Sequence, residues 1–193
     1  MARDYLSTPY NQLRRADRGM ADETEIKAFL HRAPYGALAF VHEGQPFINS
    51  NLFVYDEPGH ALYIHTAHVG RTQAIFEAGG GPMPVCFSTF SMGRLLPADE
   101  ALEFSVEYEG VTVFGNGLIV KDYSAMRHGL QLLLDKYAPH LRPERDYRPI
   151  VDEELKQTSV FRIAIESWSG KRKQVEPSFP GAFHFPYSGA KPG

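Results

Sequence analysis

Gly36-Ala37-Leu38-Ala39-Phe40-Val41-His42-Glu43-Gly44-Gln45-Pro46-Phe47-Ile48-Asn49-Ser50-Asn51-Leu52-Phe53-Val54-Tyr55-Asp56-Glu57-Pro58-Gly59-His60-Ala61-Leu62-Tyr63-Ile64-His65-Thr66 is the stretch that decides the fold. Gly36 to Val41 is a short apolar run, and His42 to Gln45 is a turn. Pro46 to Tyr55 alternates, with Phe47, Asn49, Asn51, Phe53 and Tyr55 on one side. Asp56 to Gly59 is a second turn, and Ala61 to Thr66 is a third strand. Turns this short force antiparallel pairing, so the stretch is expected to form a three-stranded meander.

Outward from this meander, the chain continues in the same style. Upstream, residues 1–20 are polar and basic and suit an arm. Asp22 with Glu25 has capping-box spacing, Ile26, Phe29 and Leu30 follow at helical spacing, and Pro34 stops the helix. Downstream, Gly70 to Ala78 reads as a helix ended by the glycines at 79–81. Val85 to Phe90 reads as a strand, and 91–101 as a loop. Phe104 to Tyr108 and Val111 to Val120 read as strands around a break at Gly110. Asp122 caps a helix through Tyr137, with Met126, Leu130, Leu133 and Leu134 on its buried face. Asp152 to Lys156 suits a helical turn, and Val160 to Ile165 a last strand. The expected architecture is mainly β with some α: an antiparallel six- to seven-stranded barrel with peripheral helices. It occupies residues 1–176, and 177–193 form a tail.

Composition narrows the class. The chain has 193 residues, enough for one sizeable core, with net charge −3 and 43% hydrophobic residues. No basic excess points to nucleic acid and no polybasic tract to a membrane surface. One cysteine, Cys86, forbids an internal disulfide and suits a reducing compartment. Flanked by Val85 and Phe87, it reads as inert core. The start of the chain lacks an apolar run of signal-peptide length, and no stretch approaches a membrane span. The expectation is a cytoplasmic protein.

Few motifs carry chemistry. Ile64 to Thr72 joins a strand to a helix, with His65, Thr66 and Arg71 as donors and Gly70 letting the backbone approach closely. A helix start supplies unpaired N–H groups, so this loop suits a phosphate; an ordinary polar loop is the plainer alternative. His65 and His68 have no cysteine or carboxylate cluster nearby to complete a metal site, so none is expected. The glycines at 79–81 lack the Gly-Lys-Ser/Thr ending of a P-loop, and Gly115-Asn116-Gly117 lacks the third glycine of a dinucleotide fingerprint. Trp168-Ser169-Gly170-Lys171 offers an aromatic surface and a cation at a strand end, or simply an anchor and a solvated lysine.

From Arg14 to Lys173 the chain resembles the pyridoxamine 5'-phosphate oxidase-related FMN-binding split-barrel family, and within it the nitroimidazole-resistance (NimA-like) branch. Four segments carry the likeness: 36–39 with 46–53, Leu62 to Arg71, Tyr108 to Gly115, and Thr158 to Ile165 with 168–171. The resemblance implies that His65, Thr66 and Arg71 hold the phosphate and ribityl chain of FMN. It implies that Asn49, Ser50 and Asn51 contact the isoalloxazine edge, partly through backbone groups, and that Trp168 and Lys171 close the site. It implies a homodimer with flavin sites at the subunit interface, the last two residues serving either subunit's flavin. Related branches bind haem or deazaflavin. Two departures stand out: Gly110 replaces a small hydroxyl residue, and Thr72 replaces a second basic residue. The pyridoxal phosphate grip of true pyridoxamine phosphate oxidases has no counterpart.

The implied function is an FMN-dependent oxidoreductase acting on a small planar or nitroaromatic substrate. The alternative is a non-catalytic FMN- or haem-binding sensor or storage protein. Phe53, Tyr55 and Trp168 are candidate aromatic walls for the substrate. No side chain identifies itself as a general acid or base.

Overall fold

A computed structural model describes residues 4–186. Eight antiparallel strands dominate it: β1 (Gly36–His42), β2 (Gln45–Asn51), β3 (Val54–Asp56), β4 (Ala61–Ala67), β5 (Met83–Leu96), β6 (Ser105–Ile119), β7 (Thr158–Lys173) and β8 (Phe183–His184). Four helices decorate them: α1 (Glu23–Arg32), α2 (Arg71–Gly79), α3 (Tyr123–Tyr137) and α4 (Asp152–Leu155). The strand order is β2-β1-β5-β6-β7-β4-β3, with β8 paired to β5.

That order overturns the meander. β1 and β2 do pair, through a two-residue turn in which Glu43 and Gly44 both have positive φ, the twist a tight hairpin demands. β3 pairs with β4 instead, at the far end of the sheet. The alternation from Pro46 to Tyr55 conceals a break at Leu52-Phe53, where the chain leaves one edge and joins the other. Two intervening residues span at most about 11 Å, so the sheet must curl until its edges nearly meet. The result is an open, split barrel.

Three further expectations are corrected. β5 runs on to Leu96, past a register shift between Met92 and Leu95, where a loop was expected. β6 passes through Gly110 unbroken, pairing it with both Phe90 and Lys171. β7 continues through Trp168 to Lys173, so the Trp-Ser-Gly-Lys segment lies inside a strand. In the expected tail, β8 pairs with Arg94 and Leu95 of the same chain. Tyr187 and beyond lie outside the described residues.

The barrel interior holds Leu38, Phe40, Phe53, Leu62, Ile64, Phe87, Val111, Val113, Phe161 and Ile163, sealed at one end by Ile26, Phe29 and Leu30 of α1. A second cluster lies on the outer side of β4 and β7, under α3 and α4, with Tyr63, Met126, Leu133, Leu155 and Val160. Asp22 caps α1 by accepting from the Thr24 N–H. Glu25 does not complete the box; its carboxylate pairs with Arg172. Asp122 caps α3 through the Ala125 N–H at 2.7 Å. Phe53 and Tyr55 are buried in the core, which removes both as walls of an open substrate pocket.

Candidate functional site

The loop from β4 to α2 delivers Arg71 as the first residue of its helix, after Gly70 at the N-cap position. Among the described residues no side chain caps α2, so its first N–H groups are without a side-chain partner there. β2 lies alongside. The Arg71 guanidinium sits 5.2 Å above the Phe47 ring, and Asn49 donates from Nδ2 to Thr72 Oγ1 at 3.2 Å. Asn51 shares Asn49's face of the strand and donates to the Asn49 carbonyl at 2.9 Å. Among the described residues Arg71 forms no ion pair. The structure thus brings Asn49, Asn51 and Arg71 to one edge, beside a helix start with open donors. Ser50 is exposed, on the opposite face of β2, so only its backbone faces that edge's partners.

The β4 residues separate. Thr66 shares a face with Leu62 and Ile64, and its hydroxyl donates to the Ala67 carbonyl at 3.0 Å. His65 points the other way. It opens onto an apolar cleft of about 290 Å³ lined by Leu52, Leu130, Leu133, Leu134, Tyr137, Ile150 and Glu154. Arg71 lines a different depression, with His42, Phe47 and Ile75. The leucines expected as the core face of α3 therefore line a cleft in part, and Leu134 remains 36% exposed. Although His65 keeps contact with water, its burial against these side chains lowers its pKa and favours the neutral ring. Its imidazole has no hydrogen-bond partner among the described residues. His68 is tied instead to buried Ser159, with Nδ1 3.3 Å from the hydroxyl. Among the described residues no three His, Cys, Asp or Glu side chains come together as a metal site.

Trp168 and Lys171 occupy opposite faces of β7. Trp168 packs edge-on against His60 at 4.8 Å and Tyr55 at 6.0 Å, and the Tyr55 hydroxyl lies 3.3 Å from His60 Nδ1. Lys171 is on the outer face, in a groove of about 320 Å³ with Tyr10, Phe90, Tyr108 and Gly110. Three hydroxyl residues cross this groove in register: Ser88 pairs with Thr112, and Thr112 with Ser169. No carboxylate lines it. Sequence reasoning missed this row, because its members come from three distant strands and only register aligns them. The neighbouring groove, about 690 Å³, is apolar, with Tyr10, Ala39, Val41, Pro46, Cys86 and Phe114. Cys86 thus faces this outer groove rather than the core, and burial raises its pKa, keeping it a thiol.

A model of the pyridoxamine 5'-phosphate oxidase family matches residues 22–172. Among solved structures, the flavocytochrome Anf3 from Azotobacter vinelandii is similar, with a TM-score of 0.75 at 20% identity, covering 96% of this chain and 88% of that one. An FAD- and haem-binding protein from Mycobacterium smegmatis gives 0.71 at 24% identity, covering 82% and 74%. A putative 5-nitroimidazole antibiotic resistance protein from Bacteroides thetaiotaomicron gives 0.64 at 17% identity, covering 80% and 86%. No curated protein matches the chain. These structural likenesses establish the shared split-barrel fold. No helix among the described residues is long and apolar enough to cross a membrane.

Proposed function

The chain belongs to the pyridoxamine 5'-phosphate oxidase family, and on that premise we propose that it is an FMN-binding oxidoreductase acting on a small planar substrate, nitroaromatics included. The observation that carries this reading is the edge formed by Arg71, Asn49 and Asn51 at the open start of α2. An Arg without a carboxylate partner beside unspent backbone donors suits a phosphate. The residues fit the cofactor on that ground: Arg71 and the first amides of α2 would hold its phosphate, with Asn49 and Asn51 at the same edge to meet its ring. When bound, a flavin supplies the electron and hydride transfer, and the protein supplies binding and orientation. Lys171 and the hydroxyls of Ser88, Thr112 and Ser169 offer further donors on the outer sheet face, opposite the face that carries Asn49 and Asn51.

The reading includes a homodimer with flavin between subunits. Its support is the outer sheet face, where Val41, Ile48 and Phe90 are exposed beside the apolar groove. Exposed apolar side chains gathered on one sheet face are what an interaction surface presents. The direct test is titration of apo-protein with FMN. Loss of a charge-assisted contact in Arg71→Ala weakens binding by about 30- to 100-fold, equivalent to ~2–3 kcal/mol. Unchanged affinity removes Arg71 from the site.

The His65 cleft favours a second reading, in which the chain binds haem as a sensor or storage protein. A haem would need apolar walls and a ligating side chain, and the cleft would offer leucines and the preferentially neutral imidazole of His65, which has no hydrogen-bond partner among the described residues. Two of the similar structures carry haem-related descriptions, a flavocytochrome and an FAD- and haem-binding protein. Haemin titration monitored at the Soret band tests it: binding that survives unchanged in His65→Ala defeats a role for His65 in holding haem.

A further inference from the structure

The crossing at Leu52-Phe53 is the one covalent link between the two edges of the barrel, and α3 grips it. Lys136 Nζ donates to the Phe53 carbonyl at 2.9 Å and to the Leu30 carbonyl, near the end of α1, at 3.2 Å. The same ammonium lies 3.9 Å from the centre of the Phe53 ring. Tyr137 Oη accepts from the Phe53 N–H at 3.1 Å and lies 2.9 Å from the Phe53 carbonyl and 2.6 Å from the Pro34 carbonyl. Its single proton serves one of these two carbonyls at a time. Two consecutive side chains of α3 thus bind both polar groups of Phe53 and two carbonyls at the exit of α1.

Among the described residues no carboxylate pairs with this cation. The groups that meet it are the Leu30 carbonyl from α1, the Phe53 carbonyl and ring from the crossing, and the Tyr137 ring from its own helix. A half-buried ammonium without a counter-ion carries a desolvation cost that an apolar side chain would not. Its carbonyl bonds specify where the crossing sits. That position matters on both sides. Asn49 and Asn51 immediately precede it, and Leu52 is a wall of the cleft that His65 and Tyr137 also line.

We propose that Lys136 and Tyr137 are positioning residues that clasp the crossing and so fix the Asn49–Asn51 edge relative to the His65 cleft. For its effect on ligand binding this rests on the flavin reading; for the clasp itself it does not. Opening the clasp returns Lys136 to water, whereas closure lowers its pKa to about 8 by burial. Raising the pH through that value therefore favours the closed form.

Amide hydrogen exchange on the full chain, with FMN titration alongside, tests the proposal in the wild type, Tyr137→Phe and Lys136→Met. In Tyr137→Phe the segment 50–56 exchanges about 10-fold faster while β6 is unchanged, and FMN affinity falls about 5-fold or more. In the wild type, protection of the Phe53 amide, corrected for base catalysis, rises between pH 7 and 9; in Lys136→Met it stays flat. Unchanged exchange in Tyr137→Phe, or equal pH profiles in wild type and Lys136→Met, overturns the clasp. Faster exchange with unaltered FMN affinity overturns its positioning role. Failure of the wild type to bind FMN overturns the flavin reading alone, because exchange decides the clasp without ligand.

Discussion

Single residues carry the chemistry here, and some were legible before the fold. Arg71 stands in a loop whose composition suits an anion, and Asn49 enters only through the family resemblance; β2 and α2 meet there, Asn49 bonding Thr72 and Arg71 lying over Phe47. As a donor in the 64–72 loop, His65 reads in sequence as a partner of Arg71. The pleat of β4 sends it to the opposite face from Thr66, where it meets leucines contributed by α3. Lys136 was illegible, because a lysine near a helix end ordinarily lies in water. Its burial yields a prediction of unusual sign. An unfolded lysine titrates near 10.4, and the folded one at about 8. Between those values the unfolded chain binds the extra proton, so Lys136 makes stability rise with pH. Urea unfolding from pH 8 to 10 tests this, since Lys136→Met lacks that rise. Phe53, fully buried, fills the crossing. Phe53→Ala costs about 3–5 kcal/mol, read as a fall in the urea midpoint.

Elements were read well where punctuation was strong. Gly44, Pro34, Asp122 and the glycines after α2 mark ends that the structure keeps. The Gly and Ser residues inside β5, β6 and β7 make these long strands read in sequence as shorter ones. β6 tolerates glycine for a physical reason: a Cβ on Gly115 would stand 2.0 Å from the Ala164 carbonyl oxygen across the bulge with β7. Gly115→Ala is therefore expected to cost more than 2 kcal/mol, because backbone must move. Thermal unfolding of that variant checks it. The β5 irregularity has its own anchor. Arg94 binds both carboxylate oxygens of Glu107 and reaches the carbonyls of Val175, Glu176 and Pro177, just before β8. Hydrogen bonding to Arg94 holds Glu107 at about 2, below the usual carboxylate range. The contribution is thus present above the ordinary value and is lost as pH falls through about 2. At neutral pH, Glu107→Gln releases residues 175–184, seen as faster limited proteolysis of that segment with the barrel intact.

Over the whole molecule, hydrophobic pattern and turn chemistry pointed to an antiparallel barrel, and resemblance supplied its name. What pattern did not reveal is the split. Alternation ran unbroken from Pro46 to Tyr55, and only long-range pairing shows that β2 and β3 belong to opposite edges. That gap matters for function, since the Asn49–Arg71 edge and the His65 cleft lie on either side of its crossing. The exposed apolar face of β1, β5 and β6 predicts a particle of about twice the 21.7 kDa chain in light scattering. If the flavin lies between subunits, dilution releases it and lowers the melting temperature together. A monomer that retains flavin contradicts the shared site. The most direct test of the central claim is the visible absorption spectrum of the protein after incubation with FMN and removal of free ligand by gel filtration. The flavin-binding split barrel predicts flavin bands that elute with the protein and are lost in Arg71→Ala. A wild-type protein peak without flavin absorbance would contradict it.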